Sequence, residues 1–297
     1  MNAFDDCASP CLETVKAFML SLEATRSRLS TDEWRIFLRK NDAIRKWKFF
    51  LSNDPYTRWG LLKPRGYPGD ATLMDFAYGH PSVLAEISKA SDAGIRIYRH
   101  TSMALQSRSA RKRIDLLAAN LSKLGNGGKS AAVVSFAAGH SRELERLSES
   151  ARGSIGKFTA IDLDAHSLET AQQSAGEIPF QPLCRNVLTG DFSDLPQADL
   201  VYSLGLFDYL NEARSKNVLE KMWKLVLPGG KLIIANLAQD AGNLAYCEAI
   251  MEWWMITRTE KEMYDLGQFV TNLDGSRKDV TISRHGCFFY LEIRMQG

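Results

Sequence analysis

What most constrains this chain is an alternation that begins after residue 130. Short apolar runs at 132–137, 158–163, 200–204 and 231–235 are separated by stretches of helical periodicity at 143–150, 167–175 and 214–227. Apolar runs of that length read as buried strands, and strands alternating with helices require a parallel sheet covered on both faces. The last segments break the alternation. Residues 280–283, the turn Arg284-His285-Gly286 and residues 287–294 read as an antiparallel hairpin. The expected architecture is α/β: a doubly wound, Rossmann-like sheet ending in that hairpin.

The sequence before the alternation is helical. Leu12, Val15, Met19 and Leu22 recur at three- and four-residue steps, and Thr31-Asp32-Glu33 ahead of Trp34, Phe37 and Leu38 reads as a capped helix start. A longer series, Ile95, Met103, Ile114, Leu117 and Leu121, leads to Gly125-Asn126-Gly127-Gly128, a flexible break. Charge changes sign there, from +7 over residues 1–124 to −5 over 125–297. Two domains are expected: a helical N-terminal lid or substrate domain (1–124) and an α/β cofactor domain (125–297). Inside the helical part lies Lys63-Pro64-Arg65-Gly66-Tyr67-Pro68-Gly69-Asp70. Its paired prolines and glycines exclude helix and central strand, leaving a shaped loop.

Composition removes other classes. With 297 residues, 45% hydrophobic and 24% charged, the chain can build a core without staples. A net charge of +2 forces no polyanion partner. The ten basic and four acidic residues of 28–65 read as a solvated helical face, so no nucleic-acid partner is expected. Five cysteines, of which only Cys7 and Cys11 are close, read as free thiols of a reducing compartment, and no metal site is expected. Asp5, Asp6, Glu13 and Lys16 interrupt any signal-peptide order, and the longest apolar runs are half a bilayer span. The sequence therefore predicts a soluble cytoplasmic protein without a membrane partner and leaves the oligomeric state open.

In a doubly wound sheet, ligands bind beyond the carboxyl ends of the strands where strand order reverses. The first strand end is Ser135-Phe136-Ala137-Ala138-Gly139-His140-Ser141. Its single glycine lets a ligand approach the backbone, though the run lacks the three glycines of a dinucleotide cradle. Ala138, Gly139 and Ser141 are the candidates there. The second strand ends in Ile161-Asp162-Leu163-Asp164. Asp162 is placed to accept from the hydroxyls of a ribose, Leu163 flanks it, and Asp164 reads as a helix N-cap. The third ends in Cys184-Arg185-Asn186-Val187, where the Asn186 amide can pair with a base edge or shape a turn. The fourth, 199–210, ends in Ser203, Gly205 and Leu206 followed by an aromatic cluster. Tyr202, Phe207 and Tyr209 can flank a cation or fill the core.

These stations, in this order, make the chain similar to the class I S-adenosyl-L-methionine-dependent methyltransferases over residues 115–297. The resemblance implies that the Gly139 turn faces the methionine part of the cofactor, that Asp162 holds its ribose, and that 203–209 faces the substrate. Residues 63–70, 202–209 and 251–260 also resemble the bacterial 3-hydroxypalmitic acid methyl ester biosynthesis-type family, which joins a helical N-terminal part to a methyltransferase domain. Gly139-His140-Ser141 departs from the Gly-Pro expected there, as does the segment around His80 and Pro81.

The resemblance implies an S-adenosyl-L-methionine-dependent enzyme acting on a small molecule. Methyl transfer from a sulfonium needs mainly positioning and desolvation, so a carboxylate acceptor needs no general base. His80, His100 and His140 are candidate bases for other acceptors. The 63–70 loop offers Arg65 for a carboxylate, Tyr67 as a hydroxyl and Asp70 for an ammonium; Arg65 and Asp70 can also simply pair. Tyr67, Asp70, Ser203 and Tyr209 are the candidate reaction-site residues. The alternative chemistry is intramolecular cyclisation of the cofactor to azetidine-2-carboxylate with release of methylthioadenosine.

Overall fold

The computed structural model describes residues 12–124 and 130–296. They form two compact units. The first runs through Arg111 and also takes in Ala241–Trp254; the second holds Lys112–Asp240 and the residues from Met255 onward. The sequence-predicted break at Gly125–Gly128, and Cys7 and Cys11, lie outside the described residues.

The first unit starts with α1 (Leu12–Arg26), α2 (Thr31–Lys40), α3 (Asp42–Leu51), α4 (Pro55–Leu62), α5 (Ala71–Tyr78), α6 (Leu84–Ser88) and α7 (Asp92–Thr101). Local chemistry sets the ends. Ser30 and Glu33 close a capping box on α2. Asp54 caps α4 ahead of Pro55, and left-handed Lys63 ends it. Asp70 caps α5 and left-handed Gly79 ends it. Between Lys63 and Asp70 the chain is irregular, as its prolines and glycines require. The helix α8 (Leu105–Leu121) contributes its first residues to this unit and the rest to the next.

The second unit continues through β1 (Ala131–Phe136), α9 (Glu149–Gly153), β2 (Ile155–Asp162), α10 (Ala165–Ala175), β3 (Phe180–Cys184), β4 (Ala198–Ser203), α11 (Glu212–Trp223) and β5 (Val226–Leu237). The chain then gives α12 (Leu244–Ala249) to the first unit, and returns as α13 (Glu260–Thr271), β6 (Lys278–His285) and β7 (Phe288–Met295). The sheet order is β3-β2-β1-β4-β5-β7-β6. The five strands β1 to β5 run parallel, and the expected hairpin adds β7 and β6 antiparallel. The chain winds outward from β1 to β3 and crosses back to β4, so the reversal point lies at the carboxyl ends of β1 and β4. One face of the sheet buries Phe136, Val201 and Ile234 against Met222, Trp223 and Leu266; the other buries Val133, Phe158 and Ile233 with Leu117, Leu121 and Leu168.

Two local expectations change. The single helix expected over 143–150 is instead a 3₁₀ turn, Arg142–Arg146, and the separate short α9. Leu147 is extended (ψ 139°), and the Ser148 side chain accepts from Ala151 N–H to start a new helix. Leu227-Pro228-Gly229-Gly230-Lys231, whose Pro-Gly-Gly run reads as a turn into the fifth strand, lies inside β5, where pairing slips from Ala198↔Val226 to Leu200↔Lys231. A side chain on Gly230 would sit 2.8 Å from the Leu227 carbonyl, which explains the glycine. Among the described residues no helix is long and apolar enough to cross a membrane.

Candidate cofactor site at the strand ends

Past Phe136 the backbone turns through three left-handed residues in alternation: Ala137 (φ 51°), Gly139 (φ 53°) and Ser141 (φ 48°). Only the middle one is glycine. Non-glycine residues in this region are strained by roughly 1–2 kcal/mol each, and such strain concentrates at ligand sites. The turn is pinned to β2 by Ala138 N–H donating to the Ile161 carbonyl (3.1 Å), and closes on itself through Ser141 N–H to the Ala138 carbonyl (3.1 Å).

Asp162 faces this turn from the end of β2. Its Oδ2 accepts from Gly139 N–H at 2.8 Å and its Oδ1 from Asp164 N–H at 2.9 Å. The carboxyl is 9% exposed, and burial raises its pKa while the two N–H groups oppose the rise. Asp164 caps α10 through His166 N–H, as expected. Leu163 is 62% exposed, an apolar surface beside the acid. At the β3 end, Asn186 Oδ1 accepts from Leu188 N–H (2.8 Å) and its carbonyl from Gly190 N–H (2.7 Å), so the oxygen of its amide shapes a turn; Val187 is buried.

At the end of β4, the Ser203 hydroxyl is fully buried and makes no hydrogen bond. A buried hydroxyl without a partner is costly and marks a place where a ligand atom can supply one. A side chain on Gly205 would meet nothing within 4 Å, so that wall is open; Leu206 and Tyr209 are half-buried. Tyr202 and Phe207 belong to the core. Tyr202 packs edge-on to Phe158 and donates its hydroxyl to Glu143 Oε1 at 2.5 Å. Glu143 is 8% exposed and burial raises its pKa. Arg113, also buried, donates to the Leu204 carbonyl and stacks over Phe288 at 4.7 Å. Sequence reading missed Glu143 and Arg113. The first follows the turn directly; the second sits in Arg111-Lys112-Arg113, which resembles a solvated run.

Apart from His140, the remaining candidates belong to the first unit. Asp70 is buried; it accepts from Leu73 N–H (2.9 Å) and from Trp59 Nε1 at 3.0 and 3.1 Å, so its carboxylate shapes the start of α5. Arg65 is exposed, and Tyr67, between left-handed Gly66 and Gly69, is half-buried. His80 accepts from Ser82 N–H, and burial lowers the pKa of His100. His140 is buried within the strand-one turn. Among the described residues no cluster could hold a metal ion.

A family model described as a methyltransferase domain matches residues 134–232, the segment from β1 into β5. No curated protein matches. A possible exported protein from Bordetella parapertussis shares the fold with a TM-score of 0.60 at 18% identity, over 77% of this chain and 80% of that one. An O-methyltransferase family protein from Burkholderia thailandensis gives 0.48 at 14%, over 76% and 70%. The N-methyltransferase NodS from Bradyrhizobium japonicum, in complex with S-adenosyl-L-homocysteine, gives 0.45 at 16%, over 75% and 100%. The strand ends fit the cofactor of such a domain: an acid beside an exposed apolar surface, a glycine in a left-handed turn, and a buried hydroxyl lacking a partner. Residues 134–232 match a methyltransferase domain, the sheet is that of a class I, Rossmann-like fold, and the cofactor is S-adenosyl-L-methionine.

Proposed function

We propose that the protein transfers a methyl group from S-adenosyl-L-methionine to a carboxylate or similar nucleophile of a small molecule, in secondary-metabolite or signal biosynthesis. The observation that carries this reading is the Asp162 carboxylate held between Gly139 N–H and Asp164 N–H at the reversal point of the sheet. Asp162 would accept from the ribose hydroxyls, Leu163 and Val187 would cover the base, and Gly139 would admit the tail close to the backbone. Ser203 would give its buried hydroxyl to the bound molecules, and Gly205, Leu206 and Tyr209 would wall the acceptor. The bound sulfonium supplies an activated methyl carbon and an excellent leaving group. The chain is left to align the acceptor and exclude water. Arg65 remains the candidate for carboxylate recognition; an Arg65→Ala variant with unaltered cofactor affinity removes that role.

Glu143 favours a second reading. Forming azetidine-2-carboxylate from the cofactor's own amine releases a proton, whereas methylating a carboxylate does not. Glu143 is a buried acid whose burial raises its proton affinity. One experiment separates the readings: purified protein with S-adenosyl-L-methionine alone, followed by liquid chromatography and mass spectrometry. Azetidine-2-carboxylate with methylthioadenosine above the spontaneous background establishes cyclisation. S-adenosyl-L-homocysteine that forms only on adding acids such as 3-hydroxy fatty acids establishes methyl transfer.

A further inference from the structure

The segment 255–260, following the two tryptophans Trp253 and Trp254, has no part in the cofactor station, yet it carries a buried polar cluster centred on Arg258. Arg258 is 5% exposed. Its Nη1 donates to the Phe207 carbonyl (2.8 Å) and to Asn236 Oδ1; its Nη2 donates to the Leu210 carbonyl (2.6 Å) and to Ser215 Oγ (2.9 Å). All four acceptors are neutral oxygens. The acids in its surroundings are Asp208, Glu262 and Glu212, and burial lowers its pKa against their attraction.

Two of those acceptors are carbonyls of the loop that leaves β4. The same loop is held by its own Asp208, whose side chain accepts from Leu237 N–H (2.7 Å) and whose carbonyl accepts from Ile256 N–H (2.7 Å). Arg258 is in turn fixed to the sheet. Its N–H donates to the Leu237 carbonyl (2.9 Å) and its carbonyl accepts from Gln239 N–H (3.1 Å), a parallel bridge just past β5. The loop carbonyls of Phe207, Asp208 and Leu210 thus each accept from the segment 256–258, and the Leu210 carbonyl also from Ser215 Oγ (3.3 Å). Only a planar fork can serve four acceptors spread over a loop, a strand and a helix; an ammonium donates from a single point.

We propose that Arg258 is a positioning residue that presets the strand-four loop, residues 204–210, as a rigid wall for the acceptor, and so contributes to acceptor selection without touching it. This rests on the reading above that the loop faces the acceptor. Arg258→Lys retains the charge and removes the fork. Hydrogen exchange followed by mass spectrometry should show amides of 204–210 exchanging about tenfold faster, while peptides of 131–141 keep their rates. Affinity for S-adenosyl-L-homocysteine, measured by calorimetry, should change less than about threefold, while kcat/KM for the acceptor falls at least about tenfold.

Unchanged exchange at 204–210, or a rise spread evenly through the second unit, overturns the proposal. So does a loss of cofactor affinity as large as the loss of turnover. If Arg258→Lys does not fold, Asn236→Asp keeps the accepting oxygen on Arg258 while Arg258→Gln keeps a planar donor with fewer N–H groups, and a rise of about threefold confined to the loop is expected for Arg258→Gln only; no change there also overturns it. If the wild-type protein methylates no acceptor, the functional reading falls on its own, and the exchange and calorimetric results still decide the role of Arg258.

Discussion

Gly139→Ala is the most informative single substitution, because its neighbours calibrate it. Ala137 and Ser141 already hold φ values of 51° and 48°, so the backbone demonstrably accepts a Cβ in this conformation within the same turn. The left-handed strain costs about 1–2 kcal/mol. The reduced entropy of the unfolded chain returns about 0.5–1 kcal/mol, leaving a net loss near 1 kcal/mol. The Gly139 N–H to Asp162 bond does not involve the side-chain position and should survive. In the proposed pose the cofactor tail runs close to this backbone, where the new methyl takes up space. Cofactor affinity should therefore fall at least about 100-fold, roughly 2.7 kcal/mol, well beyond the stability change. The assay pairs urea unfolding with calorimetric titration by S-adenosyl-L-homocysteine. Ala137→Gly is the control: strain relief and backbone entropy nearly cancel, so stability changes by no more than about 1 kcal/mol, with affinity retained. Affinity of Gly139→Ala within threefold of wild type would refute the assignment of this turn to the cofactor.

Three further outcomes are expected. Asp162→Asn replaces one accepting oxygen by a donor and removes the charge; cofactor affinity should weaken about 10–100-fold by titration, with little change in fold. Tyr202→Phe strips Glu143 of its hydroxyl donor, which should cost about 1.5–3 kcal/mol in urea unfolding at pH 8 and less as the pH is lowered, since burial raises the proton affinity of this acid. Asp54, fully buried in the first unit, is pushed up to about 6, chiefly by burial and against donors from Thr57 and Thr101. An acid whose pKa is raised by folding stabilises most when protonated, so its contribution falls as pH rises from about 4 to 6 and is then flat. Between pH 5 and 7 the loss is about 1.4 kcal/mol. Asp208 acts with the same sign in the second unit. Asp54→Asn should flatten this slope in unfolding followed by tryptophan fluorescence, since Trp34, Trp47, Trp59, Trp253 and Trp254 all report on the first unit.

The parts of the fold that sequence made legible are those written in short-range pattern. β1, β2, β4, β5 and the terminal hairpin are apolar runs with turn residues between them, and Asp164 announces α10 by its position. β3 was visible only by its end, because it is an edge strand with mixed exposure and Pro182 within it. The break in the 142–153 region depends on Ser148 winning a cap, a choice between two competing local structures. The strand-one turn looked poor because sequence shows one glycine; the other two left-handed residues are alanine and serine, whose strain only tertiary contacts can hold. Glu143, Arg113 and Arg258 escaped for a related reason. Their partners are side chains distant in sequence and backbone carbonyls, and a carbonyl leaves no mark in sequence.

The first unit is discontinuous, and that has a consequence for synthesis. Thr57 shares a hydrogen bond with Tyr246, Glu23 accepts from Ala245 N–H, and Arg26 pairs with Glu248. Every one of these partners leaves the ribosome only after the whole of β1 to β5. At about 5–20 residues per second, the interval between Arg111 and Trp254 is roughly 7–30 s. During that time the nascent helices lack α12, and the buried Thr57 hydroxyl and Glu23 carboxylate have no native partner from it. The helical unit can therefore be completed only late in translation, although most of its residues are made first. Neither unit can be exchanged between relatives as one uninterrupted block of gene.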